Sequence, residues 1–172
     1  MAETIRRRAD KIFARCRENV QDDINAILAE HSAVGRLQSG ATITRTVRAF
    51  ETRSAEALGT IFESVTTRTD HRGREWRKML NDVQEALDAQ MDAAPDFLKR
   101  TFLVAKKDGP QLAEPLLAAA RATLNGILAE FRDGWTSPRP KPWNERHPVI
   151  YAIGLLILGA IAGTAVNHLI PL

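Results

Sequence analysis

One stretch narrows the options for this chain more than any other. Residues 149–166 read Val-Ile-Tyr-Ala-Ile-Gly-Leu-Leu-Ile-Leu-Gly-Ala-Ile-Ala-Gly-Thr-Ala-Val, 18 positions without a charge. Carried on to Ile170 the run has 22 residues. As a helix it spans about 33 Å, enough to cross a hydrocarbon core of roughly 30 Å. A buried core helix of this length normally shows a polar stripe, and here none occurs before Asn167. The expectation is a transmembrane helix over residues 148–170, acting as a tail anchor.

Its flanks give an orientation. Arg139, Lys141 and Arg146 precede the run and no Lys or Arg follows it. Basic residues stay on the cytoplasmic side, so the N-terminal part is expected to be cytoplasmic. Trp143 and Tyr151 fall where aromatic side chains meet lipid headgroups. With Arg139, Lys141 and Arg146 they form the expected membrane-interface anchors. Inside the run, Gly159 and Gly163 make a GxxxG, and Ala160 and Thr164 a second pair of small residues beside it. Small residues four apart let another helix approach closely, so these four positions are the candidate helix-association face. Asn167 and His168 are expected at the far interface.

The N-terminus, Met1-Ala2-Glu3-Thr4-Ile5-Arg6-Arg7-Arg8, lacks the apolar core of a secretion signal. Targeting is therefore expected from the C-terminal run. Of the formal net charge of +3, the body before Arg132 carries only +1, far from the excess of a dedicated nucleic-acid binder. Arg outnumbers Lys 18 to 6, which suggests a GC-rich bacterial genome and hence a bacterial inner membrane. The layout resembles that of bacterial inner-membrane proteins with a helical cytoplasmic body and a C-terminal anchor.

The body reads as all-α. Aromatic side chains make up 6% of the chain, and alternating β-branched runs are missing. Ile5, Ala9, Ile12, Cys16, Val20, Ile24, Ile27, His31 and Val34 recur at spacings of three and four, one face of a long amphipathic helix. Gly35 and Gly40 suit a helix exit and a reversal. A second stripe runs Ile43, Val47, Phe50, Ser54, Ala57, Ile61, Val65, and a third Trp76, Met79, Leu80, Val83, Leu87, Gln90, Met91. Arg72, Arg74, Arg77 and Lys78 would oppose the positive end of a new helix, so one continuous helix over residues 42–93 is expected, bent near Gly73.

Pro95 is expected to end that helix and start a hairpin. Folded back there, Asp82, Glu85, Asp88 and Asp92 would face Lys99, Arg100, Lys106 and Lys107. A last body helix carries Leu112, Leu116, Leu117, Ala120, Leu124, Ile127, Leu128 and Phe131, and ends at Gly134. The expected organisation is a soluble, coiled-coil-like helical domain over residues 1–134, built as an elongated antiparallel hairpin or bundle. A stiff Pro-rich basic linker follows over 135–147, then the transmembrane helix over 148–170.

Candidate sites are few. Arg6, Arg7, Arg8 and Lys11 form one basic cluster, and Arg68, Arg72, Arg74, Arg77 and Lys78 another. If the first helix doubles back, the two approach and make an anion or partner patch for lipid headgroups, nucleic acid or an acidic protein. The plainer reading is a solvated surface with Asp10, Asp70 and Glu75 as counter-ions. His31, His71, His147 and His168 are scattered, and Cys16 lies on an apolar stripe. No metal site, cofactor site or catalytic set is expected.

The favoured expectation is a non-enzymatic module at the lipid bilayer that forms homo-oligomers or recruits a protein partner. One alternative is a membrane-perturbing, pore-forming effector, holin-like or a defence-system subunit. Another is a membrane tether for nucleic acid or a ribosome through the basic clusters.

Overall fold

A computed structural model describes residues 4–67, 73–106 and 108–134. Among these residues four helices form and no strand does. They are α1 (Ile5–Ala33), α2 (Gly40–Thr66), α3 (Gly73–Ala105) and α4 (Gly109–Arg132). All lie in one compact unit, Met1–Thr136. The second unit, Ser137–Leu172, falls outside the described residues, and with it the expected membrane helix and its flanking anchors. Among the described residues no helix is long and apolar enough to cross a membrane.

Local chemistry explains the ends of α1. The Thr4 hydroxyl accepts from the Arg7 N–H at 3.4 Å, satisfying one of the free first-turn donors. At the other end Gly35 takes φ +69, a left-handed value that costs a glycine little. There the Arg36 N–H reaches the His31 carbonyl at 2.8 Å and the Gly35 N–H the Ser32 carbonyl at 3.1 Å. This pair of bonds is the Schellman motif. Ser39 then caps α2, accepting from the Thr42 N–H at 3.4 Å.

α1 packs against α2 and α3, and α4 against the same two; α2 and α3 also touch across the bundle. Side-chain pairs fix the directions. Glu30 meets Arg45 and Asp23 meets Arg53, so α1 and α2 are antiparallel. Gln84 meets Asn125 and Asp92 meets Arg121, so α3 and α4 are antiparallel. Arg6 meets Glu85 and Arg17 meets Gln90, so α1 and α3 run the same way. The result is an up-down-up-down four-helix bundle.

Every helix supplies the core. Phe13, Ile24, Ile43, Phe50, Leu58, Ile61, Leu87, Leu98, Phe102, Leu124, Leu128 and Phe131 are all fully buried. Their removal from water is the main favourable contribution to folding. At the α3–α4 turn the packing is tight enough to demand glycine. A Cβ on Gly109 would stand 2.2 Å from the Phe102 carbonyl oxygen, which is backbone and cannot swing away.

Three expectations are corrected. The continuous helix over residues 42–93 does not form: α2 closes at Thr66 and α3 opens at Gly73, whose φ of +92 no residue inside a helix adopts. Two separate helices can each lay an apolar face on the same core, whereas one long rod cannot fold back on itself. The hairpin at Pro95 does not form either, because α3 runs unbroken through it. The buried positions Met91, Ala94, Leu98, Phe102 and Ala105 keep one face inward across the proline, while Pro95 itself is exposed. The acidic residues before Pro95 accordingly pair elsewhere, Asp92 with Arg121 of α4 and Glu85 with Arg6 of α1. Last, Val34, expected at the end of the first stripe, lies on the outside, 61% exposed.

Pro95 leaves the Met91 carbonyl without its helical donor. Pro95→Ala is therefore expected to stabilise the bundle by about 1–2 kcal/mol, the restored bond being partly offset by a freer unfolded chain. Thermal unfolding followed by circular dichroism checks this. A lower melting temperature for the variant would mean that the proline shapes a bend the packing requires.

Candidate functional site

The bundle brings together part of the expected basic patch. Because α1 and α3 run the same way, Arg6, Arg7, Arg8 and Lys11 in the first turns of α1 share a bundle end with Arg74, Arg77 and Lys78 in those of α3. Arg7, Arg8, Lys11, Arg74, Arg77 and Lys78 are exposed. Arg6 is half-buried and engaged, with Asp10 at 3.1 Å and Glu85 at 3.0 Å. Arg74, Arg77 and Lys78 border an open depression with Glu75 and Asn81. Arg68 and Arg72 lie outside the described residues. So do Gly159, Ala160, Gly163 and Thr164, and Arg139, Lys141, Trp143, Arg146 and Tyr151.

The end of α4 arrives at the same place. The Phe131 ring stacks on Phe62 of α2, centroids 3.8 Å apart and planes within 6°. It also meets Trp76 of α3 at 5.5 Å. The last turn of α4 is thus clamped beside the first turn of α3, and Gly134, at φ +88, follows directly.

Two buried polar groupings lie deeper; sequence periodicity put Cys16, Ser54, Gln90 and His31 on stripes without showing what they meet. Midway along, Cys16, Ser54 and Gln90 come from three different helices. The Cys16 Sγ lies 3.9 Å from the Ser54 hydroxyl and 4.0 Å from the Gln90 amide nitrogen. Arg17 donates to the Gln90 carbonyl oxygen at 2.5 Å. Burial pushes the Cys16 thiol up, against a smaller opposing effect of the Ser54 hydrogen bond. Cys16, Ser54 and Gln90 thus form a polar layer packed between three helices.

At the α1–α2 corner, His31 is 6% exposed. Arg45 Nη1 lies 3.0 Å from its Nε2, and an arginine can only donate, so Nε2 accepts. The proton then sits on Nδ1 and points at the Thr42 hydroxyl 2.7 Å away. That hydroxyl in turn donates to the Leu37 carbonyl at 3.0 Å or the Arg36 carbonyl at 3.2 Å. His31 thereby clasps the turn. The sequence carried one signal for it, a histidine on an apolar stripe just before Gly35. Its partners Thr42 and Arg45 needed the fold.

Arg53 bridges α2 to Asp23 of α1 at 2.7 Å, and its hydrogen bonds hold the Asp23 carboxyl below the ordinary aspartate value of 3.8. In the unfolded chain Asp23 takes a proton near 3.8, whereas in the bundle it keeps its charge to lower pH. Between those points the unfolded state binds more protons, so stability falls as pH falls. Asp23→Asn is expected to cost the bundle at most about 1 kcal/mol at neutral pH, since the pair is largely solvated. The deficit should vanish once pH drops through the folded-state value. Urea unfolding of both proteins at neutral and acidic pH measures it, and a deficit that persists in acid would assign it to packing.

Among the described residues no group of three or more His, Cys, Asp or Glu is placed to hold a metal ion. Comparison with protein-family models, curated proteins and solved structures finds no match to this chain.

Proposed function

We propose that the chain is a membrane-held helical interaction module: residues 1–134 form the working body, 135–147 a basic Pro-rich linker, and 148–170 a transmembrane helix. The observation that carries this reading is the uncharged run at 149–166, preceded by Arg139, Lys141 and Arg146 and joined to α4 by a short linker. In this reading the body is cytoplasmic at a bacterial inner membrane, by the distribution of positive charge. It acts without chemistry of its own, by self-association and by recruiting a protein partner. Support for self-association comes from Gly159, Ala160, Gly163 and Thr164 on one helical face. Support for recruitment comes from the bundle end opposite Gly134, where Val34, Leu103, Val104 and Leu112 stay exposed.

The test is crosslinking of the full chain in native membranes. Gly159→Ile with Gly163→Ile is expected to reduce crosslinked oligomers several-fold by blocking close helix approach. Undiminished oligomers would transfer assembly to the bundle.

A further inference from the structure

We propose that the α1/α3 edge of the bundle, at the end where α4 finishes, lies against anionic lipid headgroups; this rests on the membrane reading and adds the surface that meets the bilayer. The first turns of α1 and α3, residues 5–11 and 73–80, carry seven cationic side chains against two carboxylates, Asp10 and Glu75. The neighbouring ends of α2 and α4 lean the other way, with Glu63, Glu130 and Asp133 against Arg132. The positive charge is therefore concentrated on one edge of that end.

The placement works against the bundle itself. A helix N-terminus carries a partial positive charge and favours acidic residues. The first turn of α1 has none, and holds Arg6, Arg7 and Arg8 instead. Arg7, Arg8, Arg74, Arg77 and Lys78 make no ion pair with the described residues, whereas Arg45, Arg53 and Arg121 each hold a carboxylate on a neighbouring helix. Exposed charges such as Arg7, Arg8, Arg74, Arg77 and Lys78, which oppose their own helices and pair with no carboxylate among the described residues, are placed for an anion outside the bundle.

The chain's path selects which anion. Phe131 and Trp76 hold the end of α4 beside the first turn of α3, so the last described residues before the linker lie at the cationic end. The linker also carries Arg139, Lys141 and Arg146. Thirteen linker residues could reach at most about 40 Å if extended, so a span at 148–170 would leave this end within reach of the headgroups. Arginine pairs well with phosphate oxygens, and a cluster of basic side chains beside a membrane helix is drawn to an anionic leaflet. Attraction fades beyond about 8 Å in physiological salt, so the edge must touch the surface to gain from it.

The experiment places the full chain in nanodiscs of phosphatidylcholine, alone or with phosphatidylglycerol, and follows amide hydrogen exchange. Residues 5–11 and 73–80 are expected to exchange roughly threefold slower or more in the anionic discs. High salt should remove the difference, as should the joint change Arg7→Glu, Arg8→Glu, Arg74→Glu and Arg77→Glu. The same change should leave the melting temperature equal or higher, because acidic residues suit helix N-termini. Equal exchange in both discs, with the chain inserted, overturns this inference alone. A chain that stays out of both discs overturns the membrane reading and this inference with it. Protection produced by an added oligonucleotide in neutral discs, but not by anionic lipid, overturns it in favour of nucleic acid.

Discussion

Phe131→Ala is expected to destabilise the bundle by about 3–5 kcal/mol, the usual result of truncating a buried aromatic side chain. The Phe131 ring is 1% exposed and touches two other aromatic side chains, Phe62 on α2 and Trp76 on α3. Removing it opens a void shared by three helices, with little chance of collapse because each wall belongs to a different element. Domains of this size are stable by about 5–15 kcal/mol in total, so the loss is a large share. A fall of roughly 10–20 °C in melting temperature follows. Phe131→Leu, which keeps most of the volume, should cost far less, about 1–2 kcal/mol. Amide exchange gives a second reading, since the last turns of α4 should lose protection before the His31 corner does. A melting temperature within a degree or two of the parent would show that the aromatic cluster is not a support of the fold.

The helices were legible in the sequence wherever a short-range signal and the apolar period agreed. Gly35 after the first stripe marks the end of α1, which closes at Ala33. The expected end of the last body helix, Gly134, falls two residues beyond Arg132. Where the two kinds of signal conflict, the apolar period decides over the local one. Pro95 is a strong local stop, yet Ala94, Leu98, Phe102 and Ala105 continue the inward face of Leu87 and Met91 without a phase change. The period reports burial over many residues, and that outweighs one lost hydrogen bond. Near Gly73 the error ran the other way. The basic residues around Gly73 disfavour a helix start through the macrodipole, but only by under about 1 kcal/mol. The need of two apolar faces to reach one core is several times larger.

The site was legible only in part, for a related reason. Each basic cluster can be read from neighbouring letters. That they share an end depends on α1 and α3 being parallel, and this follows from the number of reversals between them. A single unbroken helix over residues 42–93 would have removed one reversal and changed the geometry. The Cys16–Ser54–Gln90 layer shows the same dependence: three stripe positions, 38 and 36 residues apart in sequence, meet only once helix order is settled.

Introducing two lysines into the apolar run, Ile157→Lys with Ile161→Lys, is expected to move the protein from the membrane pellet to the supernatant. Residues 149–166 contain nine Leu, Ile or Val side chains, each favouring insertion by about 0.3–0.6 kcal/mol near the centre of a span. Their joint contribution is roughly 3–5 kcal/mol. One lysine at the centre opposes it by about 2.5–3.5 kcal/mol, and two by about twice that. The balance therefore changes sign. In a helix, positions 157 and 161 would lie one turn apart near the middle of the span, where a charge costs most. The conservative pair Ile157→Leu with Ile161→Leu should remain in the pellet after an alkaline carbonate wash. The bundle should keep its circular dichroism in every case, since the changes lie outside it. A double-lysine variant that resists the wash would mean that something other than the apolar run holds the chain at the bilayer. A parent protein already in the supernatant would mean that the run is covered by protein rather than by lipid.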